Sequence, residues 1–206
     1  MFLFDMMKFG VFSEDLALVK QNGKYGYVDR TGKVVITIEY DYARHFSEGL
    51  SNVEQNGKFG FIDKTGKVVI PFEYDIAWSF SKSLAKVQQK GKHGFIDKTG
   101  KVVVPIEYDD IYGFKNGLAL VKQNNKYGFV DKTGKVVIPI QYDFILGFSD
   151  GLAGVKQNGK WGFIDKSGNI VMPAIYDMVQ SFENGNTLVI PNGETFYIDK
   201  TGKRLD

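Results

Sequence analysis

The sequence predicts an all-β repeat protein, and three observations carry that prediction. An aromatic-Gly pair recurs every 34 residues, at Tyr25-Gly26, Phe59-Gly60, His93-Gly94, Tyr127-Gly128 and Trp161-Gly162, a fixed period of the length that marks stacked supersecondary units. The residues between these pairs are rich in β-branched and aromatic types, with Gly and Pro placed where helices would have to run. Turn signals recur at constant offsets from each pair, so every unit divides into short strands.

The first full unit lays out the expected elements as Leu16 to Gln21, Lys24 to Asp29 and Val34 to Tyr40. Asn22-Gly23 joins the first two strands, since a two-residue type I′ hairpin needs positive φ at both positions, and Asn56-Gly57, Asn158-Gly159 and Asn192-Gly193 repeat it. Asp29-Arg30-Thr31-Gly32 joins the second and third, the Asp accepting backbone hydrogen bonds and the Gly taking the left-handed position. Most of the 24 glycines fall in these turns, in the aromatic-Gly pair, or in a further Ser-x-Gly turn. Pro71, Pro105, Pro139 and Pro173 share one column of the third strand, with Thr37 in their place earlier, so that strand is expected at an edge, or with its Pro turned away from its partner.

Strand two alternates Tyr27, Phe61, Phe95, Phe129, Phe163 and Tyr197 with Val28, Ile62, Ile96, Val130, Ile164 and Ile198. Both of its faces are therefore expected to be buried, and strand three, judged by Val68-Val69-Ile70, likewise. A small sheet with a neighbour on either side meets that requirement, as in a propeller blade. Met1 to Phe12 falls in register with Val35 to Phe46, so the chain opens on a degenerate third strand, with Met6-Met7 for Tyr-Asp, and ends just after a second strand. The fold class expected is thus six tandem β-repeats forming one domain over residues 1–206, closed as a six-bladed propeller-like ring with small three-stranded blades and the first unit completed by the C-terminal strands. The segment after Tyr-Asp would supply any short fourth strand, and the alternative is an open β-repeat array or solenoid with capped ends.

The run Lys160-Trp161-Gly162-Phe163-Ile164-Asp165-Lys166-Ser167-Gly168, with a following Pro and Tyr-Asp, resembles the WG repeat, found mainly in bacterial proteins. The likeness covers nearly the whole chain, although Trp161 alone supplies the family's Trp and the last unit has Thr195-Phe196 for the pair. What the resemblance implies is a repetitive β structure with a binding role, and it assigns no catalytic residue.

Composition narrows the function classes. With 26 basic and 24 acidic residues spread through the repeat, the net charge of +2 gives no nucleic-acid footprint. Cysteine is absent, which excludes disulfides and thiolate chemistry. The segment Met1 to Lys8 lacks a basic leader region and is too short to span a bilayer, so a soluble, cytoplasmic chain without membrane insertion is expected.

Residues that look chemical because they recur are better explained as architecture. Thr-Gly-Lys lacks the spacing of a phosphate-binding loop. The Asp series from Asp29 to Asp199 offers one carboxylate per unit, a poor calcium site but a good turn cap. Asp109-Asp110 would point to opposite faces, and neither His93, in the aromatic column, nor His45 has partners for a metal or triad. No cofactor and no enzymatic activity are expected.

Variation within a constant frame is the remaining signal. The four residues after each Tyr-Asp differ between units, their second column always apolar and expected to be buried, their third reading Arg44, Trp78, Tyr112, Leu146 and Gln180. These types are common in binding hot spots, and with His45 they form the candidate site. The function expected is a non-catalytic module presenting these loop residues to a protein partner; the alternative is a carbohydrate-binding module in which Trp78 and Tyr112 stack on sugars.

Overall fold

In the computed structural model, which describes residues 11–205, each repeat folds into its own four-stranded antiparallel meander. The first sheet comprises β1 (Phe12–Ser13), β2 (Leu16–Gln21), β3 (Lys24–Val28) and β4 (Val34–Tyr40). The second comprises β5 (Tyr42–Ala43), β6 (Leu50–Gln55), β7 (Lys58–Asp63) and β8 (Val68–Tyr74), and the third β9 (Ile76–Ala77), β10 (Leu84–Gln89), β11 (Lys92–Asp97) and β12 (Val102–Tyr108). The fourth has β13 (Asp110–Ile111), β14 (Leu118–Gln123), β15 (Lys126–Asp131) and β16 (Val136–Tyr142), and the fifth β17 (Phe144–Ile145), β18 (Leu152–Gln157), β19 (Lys160–Asp165) and β20 (Ile170–Tyr176). The sixth has β21 (Met178–Val179), β22 (Asn186–Ile190), β23 (Phe196–Asp199) and β24 (Arg204–Leu205). The chain packs as two compact units, divided between Glu107 and Tyr108.

Turn chemistry produces these meanders. Asn22 and Gly23 take φ of 50° and 83°, the pair a type I′ hairpin demands, and Lys90-Gly91 and Asn124-Asn125 adopt it without the full Asn-Gly signature. At the second turn Asp29 Oδ1 accepts from the Thr31 hydroxyl at 2.6 Å and from the amides of Thr31 and Lys33 at 2.8 and 3.1 Å. Those donors, the Thr31 hydroxyl foremost, hold its carboxyl below the ordinary range. Asp63, Asp97, Asp131 and Asp199 repeat the arrangement.

The sheets have four strands rather than three, and in the second to sixth the segment after Tyr-Asp supplies the short fourth one. The Asp41 amide donates to the Glu54 carbonyl at 2.9 Å and the Arg44 amide to that of Asn52 at 3.2 Å, flanking the pair Tyr42↔Glu54 and Ala43↔Val53. The Pro-bearing strand is the sheet edge, as expected. It is apolar on both faces in sequence but buried on one: Ile70 is 1% exposed, Val68 and Val69 44% and 36%. Those valines leave an exposed turn along an edge. Strand two is buried on both faces, except that Tyr197 in the last unit is exposed.

The ends also differ from expectation. Arg204 and Leu205 pair with Ile198 and Tyr197, so a short strand follows β23 where the chain was expected to stop at a second strand. The degenerate strand expected in Met1 to Phe12, with Met6-Met7, lies outside the described residues apart from Phe12, which is in β1.

The glycine of each aromatic-Gly pair has a steric rather than a conformational reason. Between Tyr127↔Tyr142 and Phe129↔Ile138 the register advances two residues on β15 and four on β16, so the edge strand bulges over Gly128. A Cβ on Gly128 would stand 2.6 Å from the Ile138 carbonyl oxygen and 2.9 Å from Ile140 Cα. Gly26, Gly60, Gly94 and Gly162 meet backbone atoms just as closely.

Successive sheets within each unit are joined by an apolar layer and three repeated polar ties. Tyr27, Ile36 and Tyr40 of the first sheet pack on Ala43, Phe46, Val53 and Ile62 of the second, each large side chain so buried contributing about 1.5–3 kcal/mol. Phe163, Met172 and Tyr176 meet Val179, Phe182, Val189 and Ile198 in the same way. In the first tie, Lys24 reaches Asp41, whose Oδ2 also accepts from the Asn56 amide at 2.9 Å; Lys160, Asp177 and Asn192 repeat it. The Lys24 ammonium, then the amide, holds the Asp41 carboxyl low. In the second, the hydroxyls of Ser13, Ser47 and Ser149 donate to the carbonyls of Phe46, Phe80 and Phe182 at 2.8, 2.8 and 2.6 Å. In the third, Glu14 accepts from the Gly49 amide and pairs with Lys64, and Glu48 accepts from the Ser83 amide and pairs with Lys98.

One junction carries a compensated exception. Tyr27 stands where the next four units have Phe, and its buried hydroxyl lies 2.6 Å from both Ser51 Oγ and the Arg44 carbonyl; Ser51 in turn stands where the next three sheets have Ala85, Ala119 and Ala153. Tyr27→Phe and Ser51→Ala should each cost about 1 kcal/mol in urea denaturation, whereas the double variant, which recreates the Phe/Ala pair of later units, should cost clearly less than the sum. Additive losses would show that the two hydroxyls are not coupled.

Candidate binding surface

Each short first strand anchors the variable segment by its backbone and leaves its side chains to differ. The second-column residues Ala43, Ala77, Ile111, Ile145 and Val179 are buried, as the pattern predicts. Third-column amides all donate to a carbonyl eight residues on: Trp78 to Lys86, Tyr112 to Leu120, Leu146 to Gly154 and Gln180 to Leu188, at 2.8–3.1 Å. The Arg44 carbonyl is held as well, accepting from Tyr27 Oη and from Ser51 Oγ at 2.7 Å, and that of Gln180 accepts from Thr187 Oγ1 at 2.8 Å.

The side chains of this column do not share one environment. In the unit ending at Glu107, Arg44 and His45 are exposed and line an open cleft with Leu18, Tyr42 and Ser79; the Arg44 guanidinium lies 5.9 Å from the Tyr42 ring centroid. Trp78 is half-buried, its ring 5.9 Å from that of His93 and capped by the Lys86 ammonium at 4.9 Å. In the unit beginning at Tyr108, Tyr112 is 48% exposed and Gln180 is exposed, but Leu146 turns inward over Gly154, its Cδ1 3.0 Å from where a Cβ would stand. Leu146 thus serves packing, and Arg44, His45, Tyr112 and Gln180 remain accessible.

The structure adds a set of residues that the variable-column argument passed over. First-column side chains insert between the aromatic-Gly rings of successive sheets: Tyr42 lies 5.8 Å from Tyr25 and 6.0 Å from Phe59, and Phe144 lies 5.6 Å from Tyr127 and 6.0 Å from Trp161. This makes an aromatic row in each unit, fringed by Lys20 over Tyr25, Lys122 over Tyr127 and Lys156 over Trp161. Ile76, Phe144 and Met178 of the same column are 41–55% exposed. The available signal was that Tyr42, Ile76, Phe144 and Met178, four of the five first-column residues, are large and apolar.

Fold and surface together define a β-repeat protein of four-stranded units with constant turns and variable inter-sheet segments. The WG containing repeat matches it six times, over residues 2–25, 25–59, 59–92, 94–127, 127–161 and 161–190, and the chain belongs to that family. No curated protein matches it. Among solved structures it is similar to a eukaryotic initiation factor, at 12% identity over 94% of this chain and 63% of that one, with a TM-score of 0.47. It is also similar to Hsv2 of Kluyveromyces lactis, at 9% identity over 91% and 71% of the two chains and a TM-score of 0.41. PorZ of the type-IX secretion system of Porphyromonas gingivalis matches at 10% identity over 94% of this chain and 32% of its own, also with a TM-score of 0.41. The chain thus spans less than two thirds of the initiation factor's length.

Proposed function

We propose that the protein is a non-catalytic binding module that presents the variable segments of its repeats to a protein partner. The observation that carries this reading is at Arg44, whose amide and carbonyl are both held by hydrogen bonds while its guanidinium stands exposed beside His45. A backbone fixed in this way loses little entropy on binding. A protein partner is preferred to a glycan because sugar stacking needs a free ring face, and Trp78 already carries Lys86 on one face and His93 at its side. Immobilised protein should retain a specific partner from host lysate, and Arg44→Glu should reduce recovery about tenfold; equal recovery would remove Arg44 from the surface, and glycan-array binding abolished by Trp78→Ala with Tyr112→Ala would favour the carbohydrate alternative.

The same reading includes the arrangement of the sheets. Six equal repeats support a closed propeller-like ring that would set the variable segments around a common rim. Solution scattering should then give a radius of gyration of roughly 17 Å, the value for a compact chain of this length. A clearly larger value with an elongated profile would mean an open array.

A further inference from the structure

Between the fourth and fifth sheets, inside the unit that begins at Tyr108, the Lys126–Asp143 tie persists but the other two repeated ties lapse, and a pocket of about 210 Å³ opens in their place. At the position of Ser13, Ser47 and Ser149 stands Lys115, which has no hydroxyl to donate to the Phe148 carbonyl. At the position of Glu14 and Glu48 stands Asn116, in the same left-handed conformation (φ 53°, against 51° and 54°) but without a carboxylate. Lys166, the counterpart of Lys64 and Lys98, is therefore left with no acidic partner among the described residues. The filling changes as well. Between the second and third sheets Asn52 donates to the Ala77 carbonyl and accepts from Ser79, closing that space with hydrogen bonds; here the same two columns hold Leu120 and Gly147. Phe148 and Leu118 are consequently half-buried, where Phe46, Phe80 and Phe182 are at most 3% exposed and Leu16, Leu50 and Leu152 are buried.

What results is an apolar cavity walled by Leu118, Leu120, Phe129 and Phe148, with two exposed lysines in its lining and no acid. A dry apolar cavity of about 150 Å³ suffices for a benzene ring. Lys115 and Lys166 supply charge for one anionic group, and the apolar walls favour a ligand whose remaining surface is hydrocarbon. We infer that this pocket binds a small organic carboxylate carrying a single aromatic ring, with the ring among Leu118, Leu120 and Phe148 and the carboxylate toward Lys166 and Lys115. This goes beyond the partner-binding reading and does not rest on it, since Arg44 and Trp78 take no part.

Titration calorimetry of the intact chain with 3-phenylpropionate, set against its neutral amide, tests the assignment, with amide shifts of Gly113 and Gly147 in NMR reporting the place. The carboxylate should bind and shift both glycines, and the amide should bind about fivefold more weakly. Asn116→Glu should weaken the carboxylate about fivefold by giving Lys166 the internal partner that Lys98 has, while the melting temperature stays level or rises, which separates lost binding from lost fold. Leu120→Trp should abolish binding of both compounds by filling the cavity. Equal affinity for acid and amide, an unchanged affinity in Asn116→Glu, or no binding by the wild type would each overturn the proposal.

Discussion

The structure depends on one close approach, that of the edge strand's backbone to a glycine in the strand beside it. At Gly162 the Met172 carbonyl oxygen lies 2.6 Å, and Pro173 C and Ala174 N 2.8 Å, from where a Cβ would be. The glycine is extended, so what it contributes is the missing carbon rather than a positive φ. Pro suits the crest of that bulge because it has no amide to leave unpaired. The strand then delivers Tyr176 opposite Trp161, and Asp177 directly after it to Lys160 and the next hairpin turn. The Lys–Asp tie between sheets is thus placed by the return of the bulged strand, and the variable segment begins where that strand ends.

This explains how much of the fold was legible in the sequence. The hairpin turns could be read at once because Asn-Gly and Asp-x-Thr-Gly carry their mechanism in four residues or fewer, and strand limits followed from them almost to the residue. The glycine of the aromatic-Gly pair is visible in the sequence only as a fixed column; its constraint comes from residues some ten positions away and cannot be seen without register. Val68 and Val69 misled for a related reason, since an apolar run reports β-propensity and burial together, and at an exposed edge only propensity operates. Arg204 and Leu205 follow the last strand the pattern marks, yet they pair with Ile198 and Tyr197.

The candidate site was legible in a weaker sense. Third-column residues were found by their variability, which marks freedom from architectural duty but does not say where a side chain points. Arg44 and His45 do share a cleft, whereas Leu146 packs over Gly154 because that unit lacks a side chain there. The first-column residues Tyr42 and Phe144 escaped notice because their partners, the rings of the aromatic-Gly pairs, lie 17 residues away on either side. The pocket beside Lys166 was the least visible feature of all. It is built from substitutions that are each unremarkable, Ser to Lys, Glu to Asn and Asn to Leu, and acquires meaning only when the three fall at one junction.

The most direct measurement of the central claim is the unfolding free energy of Gly162→Ala compared with Gly113→Ala. Gly113 also avoids positive φ, but it is exposed outside the strands and has no atom within 4 Å of where a Cβ would stand, so its substitution is the reference that lacks the close approach. If the bulge requires the missing carbon, Gly162→Ala loses about 2–3 kcal/mol by overpacking against backbone, while Gly113→Ala stays within about 0.5 kcal/mol of the wild type. Equal stabilities for the two variants would contradict the account.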